Sequence, residues 1–518
     1  MDTDHRGHTS RIAKNTVLLY GRMLIGMLVS LYTSRAILNA LGVEDFGIQN
    51  VVGGFVAMFS LISSALSSSI SRFMTFELGT GDMIRLRKVF STSLLIQLAL
   101  ISIVLVVAET VGVWFVNNKM VIPSGRLFAA NCVFQASVVS FVLGLFSTPY
   151  NACIIAHERM NVFALFGILQ ICINLGIVLF IVYAPFGFDR LIVYSILLTG
   201  TYLFMQILYF RYCHVHFTES RCMPRFYRDC WKEMSGFAGW NAIGCTAGIL
   251  KDQGVNVLLN LFFGPGVNAS RGLAGSVSAA VGAFVANFMT AINPQITKSY
   301  ACEDRQYMFS LVERGSRFGF YTMMLFAVPI ILETPTVLSL WLGAYPGITV
   351  IFVRLALLNS LLEVLSNTLI TLQAATGKIR NYQIAVGGLL LMNFPVSYLA
   401  LKAGASPMSV YVIAFVIGVG CLLLRLWFLR NMTGLSIGSY LNGVVLNVIL
   451  TCACAVILPV MIHFLLPEGP VRFISVIISS IVCGVLSILY VGCMASERCF
   501  ILGKISNQIT RLKTVLVL

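Results

Sequence analysis

The chain has 518 residues, 58% of them hydrophobic and 11% charged, with a formal net charge of +15. A soluble globular chain carries about 25% charged residues, so the composition excludes a soluble domain and points to an integral membrane protein. In a soluble chain the basic excess would suggest nucleic acid, but here the first question is which loops hold it, because Lys and Arg orient membrane helices.

The apolar runs are long, as helices crossing a bilayer core of about 30 Å require, and predict about fourteen transmembrane helices. In chain order they fall near 15–41, 46–74, 89–116, 127–154, 160–184, 190–213, 235–263, 267–297, 315–343, 348–376, 381–402, 407–430, 436–466 and 471–495. The short alternating segments of a barrel are not seen. The opening MDTDHRGHTSRIAKN is polar, without the apolar core of a cleaved signal peptide. The longest polar connection, about 214–234, ends in RDCWKEM, which is expected to lie flat at the membrane surface with Trp231 as an interfacial anchor.

Lys and Arg alternate by loop. The N-terminus holds Arg6, Arg11 and Lys14, and the even-numbered loops hold Arg85, Arg87, Lys88, Arg159, Arg211, Arg221, Arg225, Arg228, Lys232, Lys298, Arg305, Arg314, Arg317, Lys378, Arg380 and Arg430. The odd-numbered loops hold only Lys119, Arg126, Arg190, Lys402 and Arg472. The positive-inside rule then places both termini in the cytoplasm. The net charge is accounted for by topology, and no nucleic acid is invoked.

A weak internal repeat follows. LNALGVEDFGIQNVVGG near residue 38 matches LNLFFGPGVNASRGLAGS near residue 259: Asn39 aligns with Asn260, and with one inserted residue Gly42 aligns with Gly264, Gly53 with Gly275, Ile70 with Ile292, Thr75 with Thr297 and Asp82 with Asp304. Six spans separate the copies, so they point the same way. The expected architecture is an all-α integral membrane fold, with two six-helix lobes related by a pseudo-two-fold along the membrane normal plus two extra C-terminal helices. Its divisions are a first lobe 1–214, a basic linker 215–234, a second lobe 235–432, two further helices 433–498 and a basic tail 499–518.

Charges at membrane depth are costly and mark function by default. GILKDQGVNVLLN, residues 248–260, puts Lys251 and Asp252 inside a span, where helical geometry sets them about 100° apart and unsuited to pair with each other. Asn241, Cys245, Gly248, Asp252, Asn256 and Asn260 form one stripe on that helix, with Lys251 at its flank; Asn359, Glu363, Asn367 and Thr371 form another. The first span carries Asn15, Arg22, Gly26, Ser30 and Ser34 in a similar stripe. The serines of the second span, Ser60 to Ser71, read as helix packing. Arg22, Arg35, Arg72, Lys251, Arg271, Arg354 and Arg425 outnumber the clear acids at depth, Asp252 and Glu363. Arg72 and Arg425 are placed to snorkel to the cytoplasmic surface, and Arg35 and Arg271 to the outer one. A cavity lined by such groups suits an anion, and a pyrophosphate above all.

The fourteen cysteines show no metal or disulfide spacing and read as small hydrophobes. No HExxH, GxSxG or Walker loop occurs, and the histidines do not cluster. A transporter is expected rather than an enzyme, with no cofactor and no metal. Gly79-Thr80-Gly81 and Gly264-Pro265-Gly266 are turn signals at helix ends.

The chain resembles the Wzx-type polysaccharide flippases of the MOP exporter superfamily, which also includes the MATE-like drug exporters. The residues that carry the resemblance are SLYTSRAILNALGVEDFGIQNVVGG, SRFMTFELGTGD, TPYNACIIAHERM, GWNAIGCTAGILKDQGVNVLLNLFFGPGVNASRG and NPQITKSYA, over roughly the first three-fifths of the chain. More closely, it looks like the lipopolysaccharide and capsule transporters of gut-type Gram-negative bacteria. The resemblance implies a bacterial inner-membrane flippase that moves undecaprenyl-pyrophosphate-linked oligosaccharide repeat units to the periplasmic leaflet by alternating access, for O-antigen or capsule synthesis. It implies a cationic cavity of Arg22, Arg35, Lys251, Arg271 and Arg354, with Asn39, Asn241, Asn256, Asn260, Asn359 and Asn367 among its polar lining. Asp252 and Glu363 are expected either to bind a coupling H⁺ or Na⁺ or to balance the basic groups. Partners would be the lipid-linked oligosaccharide, membrane lipids and the polysaccharide polymerase or assembly proteins. The rival readings are a MATE-like cation antiporter, a lipid II flippase, a membrane polymerase or glycosyltransferase, and a structural scaffold.

Overall fold

A computed structural model of the chain describes residues 18–499, apart from 31, 34, 35, 38, 43, 44, 46, 47, 50, 51, 53–59, 119–121, 123, 184–186, 188, 264, 343, 344 and 496. The side chains at 60–62, 65, 249, 250, 252, 253, 257, 260, 265, 266, 268 and 269 are also outside the described residues.

Among the described residues the secondary structure is helical, without strands. The main helices are α1 (Leu18–Ser30), α2 (Ser60–Thr80), α3 (Met83–Asn118), α4 (Leu127–Ala156), α5 (Met160–Tyr183), α6 (Arg190–His216), α7 (Arg228–Phe263), α8 (Pro265–Ala301), α9 (Arg305–Leu332), α10 (Ile348–Thr376), α11 (Arg380–Lys402), α12 (Ser409–Thr433), α13 (Ile437–Leu465) and α14 (Pro470–Gly492). Among the described residues, 11 helices are long and apolar enough to cross a membrane. The expected spans 15–41, 46–74 and 235–263 fall on α1, α2 and α7, and the first two run partly outside the described residues. The chain is a multi-pass membrane protein.

One expectation changes at the linker. RDCWKEM does not form a separate surface segment; Arg228 opens α7, and these residues are its first turns. After Pro224 no proline interrupts the sequence until Pro265, so the helix propagates from the polar segment into the apolar one. At 36 residues α7 extends well beyond a bilayer core.

The chain folds as two compact units. The first comprises Met1–Thr246, Thr290–Arg305 and Ala374–Ile384; the second comprises Ala247–Met289, Gln306–Gln373 and Ala385–Leu518.

In the first unit the core centres on Phe90, Tyr150, Ile154, Met205 and Tyr209. Its aromatics meet edge to face, Phe90 on Tyr150 at 5.5 Å and Phe166 on Tyr209 at 5.2 Å between centroids, the arrangement ring quadrupoles favour. Asp82 caps α3 by accepting from Arg85 N at 2.9 Å, and Asp189 caps α6 by accepting from Leu191 N at 3.0 Å.

Five helix ends share a turn chemistry. Gly81, Glu158, Glu303, Gly377 and Gly434 follow the ends of α2, α4, α8, α10 and α12 with φ of 77°, 57°, 57°, 74° and 81°, the left-handed closure that ends many helices. Gly81 and Glu303 both precede the Asp of the proposed repeat, Asp82 and Asp304, so the two copies end in the same register. Glutamate in this conformation costs roughly 1–2 kcal/mol. At Glu158 the carboxylate is buried and held by Lys298 Nζ at 2.7 Å and Gln295 Nε2 at 2.5 Å.

In the second unit, buried polar contacts tie α13 and α14 to α9. Arg317, 1% exposed, donates to Glu497 at 2.8 Å and to the Gly492 carbonyl at 3.2 Å, and Arg314 reaches the same carboxylate at 3.0 Å. Gly492 closes a π-turn at the end of α14, which leaves its carbonyl available to Arg317 and to the Tyr321 hydroxyl. Tyr440 OH donates to the Leu365 carbonyl at 2.6 Å. Further along α9, Glu333 is fully buried, meets His463 Nδ1 at 2.8 Å and accepts from Arg472 Nη2 at 3.2 Å.

Gly79 is a close approach within the first unit: a Cβ there would meet Ala301 Cβ at 2.7 Å and the Lys298 backbone at 3.1 Å. Gly200, on α6, has nothing within 4 Å of that position. Gly79→Ala is expected to destabilise by about 1–3 kcal/mol, whereas Gly200→Ala gains helix propensity and is neutral or mildly stabilising. Thermal unfolding in detergent, read by size-exclusion chromatography, separates the two.

Candidate functional site

In the first unit α1 packs on α5 through two small residues. Gly26 admits the Ile171 side chain, and Gly167 leaves a notch filled by Arg22: a Cβ at Gly167 would fall 2.2 Å from Arg22 Nε. The half-buried guanidinium lies over the Phe163 ring at 4.6 Å from its centroid, a cation–π contact. Among the described residues no carboxylate pairs with it.

Other arginines at membrane depth are held differently. Arg72 packs among Phe73, Phe76 and Phe237 and donates to the carbonyls of Ala374 and Ala375 at 3.2 and 2.9 Å, capping the end of α10. Helix C-terminal carbonyls lack intrahelical partners and carry partial negative charge, so a buried cation is well placed there. Arg126, in the turn before α4, forks onto Asp45 and Asp189.

The first unit also holds a cleft of about 420 Å³ lined by Gln49, Ser63, Ser137, Ser140, Ser195 and Tyr202, with Phe141 and Leu198 among its apolar members. No charged group lines it among the described residues. Ser195 Oγ donates to Gln49 Oε1 at 3.1 Å, and Ser140 and Thr199 hydroxyls meet at 2.9 Å. Hydroxyl and amide groups on an apolar floor suit a polyhydroxylated ligand. Ser63 belongs to the serine-rich helix read as packing; Ser69, which donates to the Met234 carbonyl at 3.1 Å, fits that reading. The α4 and α6 members of the cleft escaped the sequence reading, because isolated serines in apolar helices give no periodic signal.

In the second unit Lys251 Nζ meets Glu363 Oε1 at 2.5 Å. The lysine is mostly buried and the carboxylate 58% exposed. Arg425, half-buried, donates to Ser366 at 2.9 Å. Asn359 Nδ2 donates to the Tyr411 carbonyl at 3.1 Å, and Arg271 lies over the Tyr411 ring at 5.3 Å. Arg354 stands apart: its Nε donates to the Ile331 carbonyl at 2.9 Å, at the end of α9. Asn367 and Asn256 are half-buried on α10 and α7. In the first unit Asn39 is exposed and Asn241 half-buried. Arg35 lies outside the described residues, as do the side chains of Asp252 and Asn260.

A second cleft, about 320 Å³ and apolar, lies between α9 and α14 in the second unit, lined by Leu325, Phe326, Pro329, Ile330, Val337, Ile477 and Ile481.

No protein-family model matches the chain. The sequence is 24% identical over 164 residues to the uncharacterized membrane protein EpsK of Bacillus subtilis (strain 168); the match spans 31% of this chain and 32% of EpsK, so the chain covers about a third of that relative. The fold is similar to that of an outward-facing multidrug resistance MATE family transporter of the MOP superfamily, with a TM-score of 0.69 at 12% identity over 82% of this chain and 96% of that one. It is also similar to a MOP superfamily transporter from Pyrococcus furiosus, described as having a binding pocket of reverse polarity, with a TM-score of 0.66 at 14% identity over 82% and 96%. The fold is therefore MATE-like.

Two double-mutant cycles test these contacts, both read from detergent unfolding. Gly167→Ala displaces Arg22 and is expected to couple to Arg22→Met by about 0.5–3 kcal/mol; an additive result removes the notch. Glu363→Leu removes the acid that meets Lys251, so it is expected to destabilise more than the pair Lys251→Met with Glu363→Leu.

Proposed function

We propose that the protein is a flippase for an anionic lipid-linked saccharide, namely an undecaprenyl-pyrophosphate-linked oligosaccharide repeat unit carried from the cytoplasmic to the periplasmic leaflet of a bacterial inner membrane. The observation that carries this reading is Arg22: a guanidinium on a membrane helix with an aromatic face beneath it and no carboxylate partner among the described residues. A cation left in this state has capacity for an external anion, and the guanidinium fork matches phosphate oxygens. Lys251 differs, since Glu363 already balances it. In this reading Glu363 serves charge balance, Lys251 is released to cargo when it exchanges partners, and H⁺ or Na⁺ remains the candidate coupling ion.

Two further features fit the same cargo. The serine-lined cleft of the first unit offers hydrogen bonds to sugar hydroxyls. The apolar cleft beside α14 offers a surface for a polyprenyl chain. The alternation of Lys and Arg from loop to loop supports cytoplasmic termini under the positive-inside rule. Polymerase or assembly proteins would receive the delivered unit.

A MATE-like cation antiporter has equal support from the fold, which multidrug transporters share. Charge distinguishes the two: an organic cation requires an unpaired acid, and Arg22 presents the opposite sign.

Arg22→Ala is expected to abolish surface glycan in a complementation assay while the protein remains inserted and monodisperse, and Arg22→Lys to restore only part of it, because a point charge replaces the fork. Wild-type complementation by Arg22→Ala would overturn the anionic-cargo reading. Cation efflux by the native chain, with surface polysaccharide unchanged on deletion, would establish the antiporter.

A further inference from the structure

We infer that the C-terminal ends of α4 and α6 build a zinc-type transition-metal site, with Cys153 Sγ, His157 Nε2 and Glu219 Oε1 as ligands and the Cys213 thiol beside them for the fourth position. The first three ligand atoms lie within 4.8 Å of one another. Cys153 and His157 stand one helical turn apart at the end of α4, where the His157 N–H donates to the Cys153 carbonyl. Glu219 belongs to the 3₁₀ turn Thr218–Arg221 just beyond α6, and Cys213 to the last turn of α6 itself. All four residues belong to the first unit.

The donor set and its geometry select the metal. Thiolate, imidazole and carboxylate together suit zinc; calcium and magnesium take oxygen ligands, and copper(I) favours sulfur. Cys153 Sγ and Glu219 Oε1 are 3.4 Å apart, close to the roughly 3.5 Å edge of a tetrahedron with zinc–sulfur and zinc–oxygen bonds of about 2.3 and 2.0 Å. His157 Nε2 and Glu219 Oε1 are 2.5 Å apart, a hydrogen bond that would open to about 3.4 Å to admit the ion. The ring is oriented by stacking on Phe217, with centroids 4.1 Å apart, which aims Nε2 at the carboxylate.

On binding, the Cys153 and Cys213 thiols both release their protons to solvent, and the two thiolates with the Glu219 carboxylate leave one net negative charge around the dication while His157 binds in its neutral form. Cys153 and Glu219 are each 2% exposed and Cys213 fully buried. Closure of this kind marks a structural site, fastening two helix ends, and not a catalytic one with an open position.

The test uses the full chain with a histidine-free tag, purified in detergent without chelator. Elemental analysis is expected to find about one zinc per chain. After chelation, Co²⁺ titration is expected to give a thiolate-to-cobalt charge-transfer band. Cys153→Ser should remove that band, and His157→Gln should weaken Co²⁺ affinity by on the order of tenfold or more. Cys302→Ser, an exposed cysteine outside the cluster, should change neither. If Cys153→Ser does not fold, His157→Gln carries the test, since its ring is half-exposed. A native chain that is zinc-free and gives no charge-transfer band overturns the site, as does a band that survives both substitutions.

Discussion

The structure depends on one constraint: an ionised group buried away from water needs a partner, because the low-dielectric interior offers no water to replace it. The protein meets this in two ways. Where an acid is near, it pairs, as Glu333 does with Arg472 and His463, Glu497 with Arg317, and Glu158 with Lys298. Elsewhere arginine caps the carbonyl end of a helix, as Arg72 does at Ala374 and Ala375 and Arg354 at Ile331. The helices are thereby fastened end to side by the same groups that would otherwise oppose insertion. Arg22 follows neither pattern, and the absence of a side chain at Gly167 is what makes room for it.

The elements were legible from the sequence because hydropathy and turn chemistry are local. Apolar length marked the helices, and Gly79-Thr80-Gly81 marked a turn that Gly81 closes with a positive φ. Even the faint repeat carried physical content: Asp82 and Asp304 each follow a residue of positive φ, Gly81 and Glu303. The extent of α7 was less legible, because a polar first turn and an apolar continuation look like two segments when only composition is read.

Partners were not legible, since they come from helices far apart in the chain. Helical phase excluded a Lys251–Asp252 pair, but nothing local could select Glu363, 112 residues away. Arg72 looked free to snorkel because its partners are backbone carbonyls about 300 residues distant, which leave no mark in composition. The four residues proposed to hold zinc show the same limit. Each cysteine reads as a small hydrophobe within its own helix, and only the convergence of two helix ends sets thiol, imidazole and carboxylate side by side.

The fold alone does not choose a cargo, since the MATE-like architecture serves transporters of different polarity. The choice falls to the sign of the charge left over once internal pairs are cancelled. Lys251 and Glu363 cancel, and Arg126 is matched by Asp45 and Asp189. The helix-capping arginines are already engaged by carbonyls. Among the described residues, what remains at Arg22 is positive and forked, in the unit that also carries a hydroxyl-lined cleft free of charge. A cargo that is anionic at one end and rich in hydroxyls at the other satisfies both features at once. An organic cation satisfies neither, which is why the lipid-linked saccharide is the stronger reading.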